Sequence, residues 1–300
     1  HVRMKPDAWK VTARALAAAA KITGARAAVT ATLSEGMPLD LADELSAGGV
    51  APMMGLDDAL TAFEAAAHIG RNWARAEEPP EMLAPVVKGT GERVMSEHEA
   101  KQLLNAHGLA VPAGIVCKAS DAVAAAEKLD YPVTLKVSSA AIAHKTEAGG
   151  VALNLKTAAE VEAAAQRMAK LAPEVLVERM VTGAVAELII GLTSDTQFGT
   201  SLVVGAGGIL TELLKDSVTL ILPTARSEIE RALKTLKVWK LVEGFRGKSG
   251  DQAAVIRAVE AVAAFAMAHR GLVEELDVNP LLVLPDGAVA VDALIKMRNP

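Results

Sequence analysis

The chain has a single cysteine, Cys117. No intrachain disulfide forms from one thiol, and a Cys-rich zinc site is excluded. Such sparing use of cysteine fits a reducing, cytoplasmic compartment. Basic blocks are lacking too: 31 lysines and arginines face 36 acidic residues, for a net charge of −5. That excludes the basic stripe of a nucleic-acid binder. Long apolar runs are missing; stretches such as Ala15–Ala20 are too short to span a bilayer. The N-terminus lacks a charged segment leading into an apolar core and a cleavage site, so no signal peptide is expected. There is no internal repeat, and no His-Glu-x-x-His spacing that would point to a zinc enzyme. What is present is bulk: 300 residues, 51% of them hydrophobic, enough to bury a substantial core in about two domains. His1 is not a natural start, which predicts a tagged or processed piece, or part of a longer protein.

The first third reads as alternating elements. Alanine-rich helical periodicity covers residues 7–22, followed by a short strand over 27–32 and a helix over 39–45 that ends at Gly48-Gly49. A second strand follows over 50–54. A long amphipathic helix over 56–74 places Leu56, Leu60, Phe63 and Ala67 on one face. Strand, helix, strand, helix is half of a doubly wound sheet, and it needs partners for completion. Residues 77–93 hold three prolines, several charges and Gly89-Thr90-Gly91, the composition of an interdomain linker. A second unit opens at Ser96-Glu97-His98-Glu99, a capping box that predicts a helix to about His107, closed by Gly108. Short strands and helices alternate from there to Pro300.

Four segments of this second unit have chemical potential. The apolar strand 131–137 ends near Lys136, and a buried ammonium must be paired, which a polyphosphate would do well. A lysine snorkelling from a strand edge explains the same pattern. Residues 138–151 run from small residues through His144-Lys145 to Gly149-Gly150 and a new strand. Such a loop folds over phosphates with its backbone N–H groups and lysine charge, or makes an ordinary hairpin with a glycine bulge. Gly205-Ala206-Gly207-Gly208 follows another apolar strand, a close-approach turn with no Walker lysine after it. Finally, strands 275–281 and 289–293 flank the turn Leu284-Pro285-Asp286-Gly287, which brings Asn279 near Asp292. Their oxygens are hard ligands suited to magnesium held jointly with phosphates, or they belong to a polar strand end.

Taken in order, the Met95–Leu104 segment, Tyr131–Val137, His144–Val151, Gly205–Asp216, Leu276–Leu281 and Val291-Asp292-Ala293 resemble the ATP-grasp domain of ADP-forming acyl-CoA synthetases, relatives of the succinyl-CoA synthetase beta subunit. The resemblance covers about residues 92–300. The N-terminal 85 or so residues are similar to the closing half of the flavodoxin-like CoA-ligase domain that precedes ATP-grasp in fused enzymes. The implied fold is α/β: a partial flavodoxin-like domain over 1–85, a linker to about 93, and an ATP-grasp module of two lobes over 94–300.

The resemblance also implies roles. Lys136 would hold the phosphates of ATP or ADP, and the loop with Lys145, Gly149 and Gly150 would cover them. Glu178 would sit in the hinge that reads adenine through backbone groups. Glu187 would lie at the nucleotide or metal edge, with the Gly207-Gly208 turn lining the site. Asn279 and Asp292 would bind Mg2+, and His144 would relay a phosphoryl group from another phosphohistidine to ADP. Where relatives commonly read Ser-Pro-Asp-Ile before the His-Lys pair, Ala140-Ala141 replace Pro-Asp here. The implied partners are the CoA-binding and phosphohistidine-bearing domains or subunit, CoA, a carboxylic acid, and further copies in an oligomer; no nucleic acid or membrane is expected. A rival reading is a non-catalytic, ligand-sensing module of a protein acetyltransferase. The joint presence of Lys136, His144, Asn279 and Asp292 favours an enzyme. His68, His98, His107 and His269 read as structural or surface residues, Arg246 as a solvated loop residue, and Cys117 as inert core.

Overall fold

A computed structural model describes residues 6–74, 89–138, 149–195, 197–208 and 215–299. The chain divides into two compact units, His1–Pro79 and Pro80–Pro300.

The first unit follows the expected alternation. Helix α1 (Pro6–Thr23) precedes strand β1 (Ala28–Ala31), helix α2 (Leu39–Ala47), strand β2 (Ala51–Met54) and helix α3 (Leu56–Trp73). β1 and β2 pair in parallel, Ala28 opposite Ala51, with α2 in the crossover. Gly48 and Gly49 end α2: the Gly48 N–H donates to the Glu44 carbonyl, and Gly49 takes a φ of +77° that suits a residue without Cβ. Ala13, Ala20, Leu41, Leu45 and Val50 form a small core. α1 is tied to α2 by the ion pairs Lys10–Asp40 and Arg14–Glu44. The apolar face predicted for α3 is present, but the described residues do not bury it. Ala59 is the buried residue of α3, while Leu56, Leu60 and Phe63 stay about half exposed.

The second unit holds two antiparallel sheets. The larger uses β3 (Thr90–Val94), β8 (Ala186–Asp195), β9 (Gly199–Ala206), β10 (Ser217–Ile221), β11 (Val273–Leu284), β12 (Gly287–Ala290) and β13 (Ala293–Asn299). Its order is β10-β9-β8-β11-β13-β3, with β12 also on β11. Helix α4 (Glu97–Ala106) and the very apolar helix Gln252–Ala268 pack Leu104, Val259 and Phe265 against Leu188, Ile190, Val278 and Leu281. The smaller sheet has the order β4 (Gly114–Lys118), β7 (Glu174–Arg179), β5 (Val133–Val137), β6 (Val151–Leu155). Helices α5 (Ala122–Leu129) and α6 (Ala158–Met168) close its core with Ala126, Val161 and Met168 over Val133, Leu135, Val175 and Val177. Each sheet thus has its own hydrophobic core.

One expectation changes. Thr90–Val94 carries linker composition but forms β3, the edge strand of the larger sheet, paired with β13 through Met297↔Arg93 and Lys296↔Val94. Polar residues are tolerated because all five positions are exposed. Just before it, Gly89 lies so close to β13 that an added Cβ would stand 2.5 Å from the Asn299 carbonyl oxygen.

Candidate functional site

The predicted capping box starts α4 as expected. The Ser96 hydroxyl accepts from the Glu99 backbone N–H, and the Glu99 carboxylate accepts from the Ser96 backbone N–H at 3.0 Å. This fixes the rotation of α4, so that Glu97, Ala100, Lys101 and Leu104 form its buried stripe. Two of those four residues are charged.

Their partners come from the smaller sheet. Every residue of β5 is buried, and Lys136 is 6% exposed. Its ammonium donates to Glu97 Oε1 at 2.5 Å and to the Val291 carbonyl at 2.6 Å, and stands 3.3 Å from Glu178 Oε2. Lys101 donates to Glu97 Oε1 at 2.8 Å, to Glu178 Oε1 at 2.5 Å and to the Val291 carbonyl at 3.2 Å. Two lysines and two glutamates thus form a buried tetrad under the strand end. Burial alone would depress the Lys136 ammonium; the charges of Glu97, Glu178 and Asp292 outweigh it and hold its pKa well above the ordinary lysine range. Snorkelling is therefore not what this lysine does. The side chain of Glu178 turns inward onto both lysines.

The Val291 carbonyl leads directly to Asp292, at the turn between β12 and β13. As the hairpin predicts, Asn279 and Asp292 are neighbours: the Asn279 N–H donates to the Asp292 carbonyl at 3.3 Å, and the Val291 N–H to the Pro280 carbonyl at 3.2 Å. Both side chains are exposed. Among the described residues no group of three or more His, Cys, Asp or Glu side chains gathers in the geometry of a protein-only metal cage. Two hard oxygen donors alone instead fit a cation that takes its other ligands from phosphates and water, the habit of magnesium.

Glu187 is on β8, on the face opposite the helix-packed core. The Gly-rich turn folds against it: the Gly207 N–H donates to the Glu187 carbonyl at 2.8 Å. A Cβ on Gly207 would lie 3.1 Å from the Glu187 carbonyl carbon, and Gly208 takes a φ of +80° beside the Glu187 carboxylate. The two glycines therefore permit the close approach that the sequence pattern predicts. Glu275, Asp277 and Asn279 share that open face on the adjacent β11. A depression of about 460 Å³ follows, lined by residues including Gly191, Thr193, Glu275, Asp277 and Leu294. Burial pushes the Asp277 carboxyl up, with a hydrogen bond from Asn279 opposing and the Glu275 charge adding to the shift.

The described ends of the 138–151 segment are joined by the sheet. The Val137 N–H donates to the Gly150 carbonyl at 2.8 Å, and Gly149 has a φ of +71°. His144 and Lys145 lie outside the described residues. Arg246 stacks on Phe245, 5.3 Å from the ring centroid. His107 and His269 cap helix ends and contact Phe265. Cys117 is half-buried on β4, an edge strand, and burial pushes its thiol pKa up.

A family model described as an ATP-grasp domain matches residues 86–297. The chain belongs to this ATP-grasp family. Among curated relatives, the acetate–CoA ligase [ADP-forming] II of Archaeoglobus fulgidus is 35% identical over 205 residues, 67% of this ATP-grasp chain and 30% of that protein. The acetate–CoA ligase [ADP-forming] II subunit beta of Pyrococcus furiosus is 34% identical over 226 residues, 71% of the chain and 95% of the subunit. The chain therefore spans about a third of the Archaeoglobus protein and nearly all of the Pyrococcus beta subunit. Among solved structures, the dinucleotide forming acetyl-coenzyme A synthetase 1 of Ca. Korarchaeum cryptofilum, with coenzyme A and Mg-AMPPCP and with its phosphohistidine segment pointing towards the nucleotide binding site, has a TM-score of 0.62 and 32% identity, covering 68% of this chain and 93% of that one. ATP-grasp membership implies use of a nucleotide. No helix among the described residues is long and apolar enough to cross a membrane.

Glu97 and Lys101 escaped the sequence reading. The signal was available: positions 97, 100, 101 and 104 have the i, i+3, i+4, i+7 spacing of a buried helix face, and charges on such a face need buried partners.

Proposed function

We propose that this chain is the nucleotide-binding and phosphoryl-transfer part of an ADP-forming acid–CoA ligase, in which acid, ATP and CoA give acyl-CoA, ADP and phosphate. The observation behind the reading is the junction at Val291-Asp292. The carbonyl of Val291 holds the Lys136 ammonium, and the next residue is paired with Asn279. Lys136 binds the phosphates, with Lys145, Gly149 and Gly150 over them, while Glu187 and the Gly207-Gly208 turn line the opposite side. The backbone at Glu178 reads adenine. Asn279 and Asp292 hold Mg2+, which, when bound, neutralises phosphate charge. His144 supplies an imidazole whose neutral form is a nucleophile on phosphorus, to take the phosphoryl group from a partner phosphohistidine. Most of the acceleration comes from positioning and charge neutralisation. The partners are the CoA-binding and phosphohistidine-bearing domains or subunit, in an oligomer, with a carboxylic acid as co-substrate. Calorimetry of ADP with and without magnesium, on the wild type and on Asn279→Ala and Asp292→Ala, tests this. Each variant is expected to weaken magnesium-dependent binding. ADP binding by the wild type that ignores both magnesium and EDTA overturns the metal assignment.

A further inference from the structure

We infer that Glu97 and Lys101 are positioning residues of the nucleotide site, setting the charge and place of the Lys136 ammonium that meets polyphosphate. This rests on the nucleotide role proposed above for Lys136. It goes further in assigning a task to two residues of α4 that face away from solvent.

Each lobe brings one neutral pair to the tetrad: Glu97 and Lys101 from α4 on the larger sheet, Lys136 and Glu178 from the smaller. The tightest contacts cross between lobes. Lys136–Glu97 and Lys101–Glu178 are both 2.5 Å, against 2.8 Å for Lys101–Glu97 and 3.3 Å for Lys136–Glu178 within lobes. Both ammonium groups also share the Val291 carbonyl. The position of Lys136 is thus referred to the turn that carries Asp292, across the lobe junction.

A purely structural clamp is a poor explanation. Four charges at 2–8% side-chain exposure pay a desolvation penalty that apolar side chains of similar size would avoid. Perturbed, charge-partnered groups of this kind concentrate at functional sites. The charge count supplies the function. Glu97 and Glu178 meet the two ammonium groups directly, and Asp292 adds a further negative charge near Lys136. Loss of Lys101 makes the site one unit more negative, which disfavours a nucleoside diphosphate. Loss of the Glu97 charge makes it one unit more positive. A clamp predicts that both losses weaken binding alike; the charge role predicts opposite signs.

The test measures MgADP affinity of the full chain by calorimetry for wild type, Lys136→Met, Lys101→Met, Lys101→Arg and Glu97→Gln, with circular dichroism to check folding. Lys101→Met is expected to weaken ADP binding by about 10- to 100-fold, the effect of one uncompensated neighbouring charge at intermediate dielectric. Lys101→Arg restores the affinity to within about threefold of wild type, because charge and donors return. Glu97→Gln keeps or raises it. Adenosine, measured by competition, is unaffected by Lys101→Met. Equal weakening by Glu97→Gln and Lys101→Met overturns the inference, as does a folded Lys101→Met with wild-type affinity. If Lys101→Met does not fold, Glu97→Gln decides alone: lower affinity than wild type sinks the charge role. Wild type that binds no MgADP refutes the nucleotide reading itself. Wild-type binding that Lys136→Met weakens and Lys101→Met leaves unchanged refutes only this inference.

Discussion

Replacing Lys136 by methionine separates what this lysine does for the fold from what it does for the nucleotide. Methionine keeps much of the volume and loses the charge. Glu97, the Val291 carbonyl and Glu178 then lose contacts of 2.5, 2.6 and 3.3 Å. Lys101 still reaches all three groups, at 2.8 Å for Glu97, 2.5 Å for Glu178 and 3.2 Å for the carbonyl. No carboxylate is orphaned, so the loss of stability falls at the low end of the range for a broken buried pair, about 3 kcal/mol. Nucleotide binding loses a charge-assisted contact worth about 1.5–3 kcal/mol, hence at least about 10-fold in ADP affinity and up to about 150-fold from the contact alone. Urea unfolding at unchanged m reads the first quantity and calorimetry the second. Adding Glu97→Gln rebalances the charges and should recover about 2 kcal/mol of stability, a large part of the penalty for an unpaired buried charge. ADP affinity should remain at least about tenfold below wild type, because the contact itself is missing. A return to wild-type affinity along with stability would show that Lys136 only braces the lobes, and the phosphate assignment would fall.

Ser96→Ala is expected to cost about 1 kcal/mol at neutral pH by removing the cap of α4. The hydrogen bonds from Ser96 and the Arg93 charge hold the Glu99 carboxyl below its usual range against a smaller desolvation effect, so its contribution is present above the unfolded pKa of about 4.3 and is lost as pH falls through the folded value. A denaturation series from pH 7 to 3 in wild type and Glu99→Gln checks that sign. Gly207→Ala presses a methyl against the β8 backbone and should destabilise by about 1–3 kcal/mol, read as a lower urea midpoint; an unchanged midpoint would mean that the turn yields freely. With the phosphohistidine-bearing partner supplied, His144→Ala should abolish ATP formation from acyl-CoA, phosphate and ADP yet leave ADP binding within a few-fold. Near-normal ATP synthesis would make His144 structural. Limited trypsin digestion should cut first at Lys88, in the Pro-bearing 77–93 stretch; first cuts at Lys136 in β5 or Lys296 in β13 would argue against that boundary.

Where local chemistry decides the structure, the sequence is readable. The Ser96/Glu99 capping box, the Pro285-Asp286-Gly287 turn and the glycines after α2 act within a few residues of themselves, and each occurs as expected. Misreadings arise where distant partners decide. Thr90–Val94 lacks the alternation of a strand because both its faces are wet, and its strand character comes from β13, two hundred residues away in sequence. The spacing of Glu97 and Lys101 marks a buried face, but it does not name the partners that β5 and β7 bring over them, Lys136 and Glu178. The candidate site shows the same division. Motif order points to Lys136, Asn279 and Asp292, but no spacing reveals that one carbonyl, that of Val291, joins the lysines to the turn that carries Asp292.

The short pairing of Val137 with Gly150 has a consequence for how this site can diversify. Strand β5 and strand β6 close the intervening loop from its two ends, through that hydrogen bond and the Lys136↔Val151 register. The closure entropy of the loop is therefore met by the sheet, whatever residues the loop contains. Lengthening such a loop costs only about 0.6 kcal/mol per doubling. A change in the number of residues between these two anchors should accordingly leave the scaffold nearly indifferent.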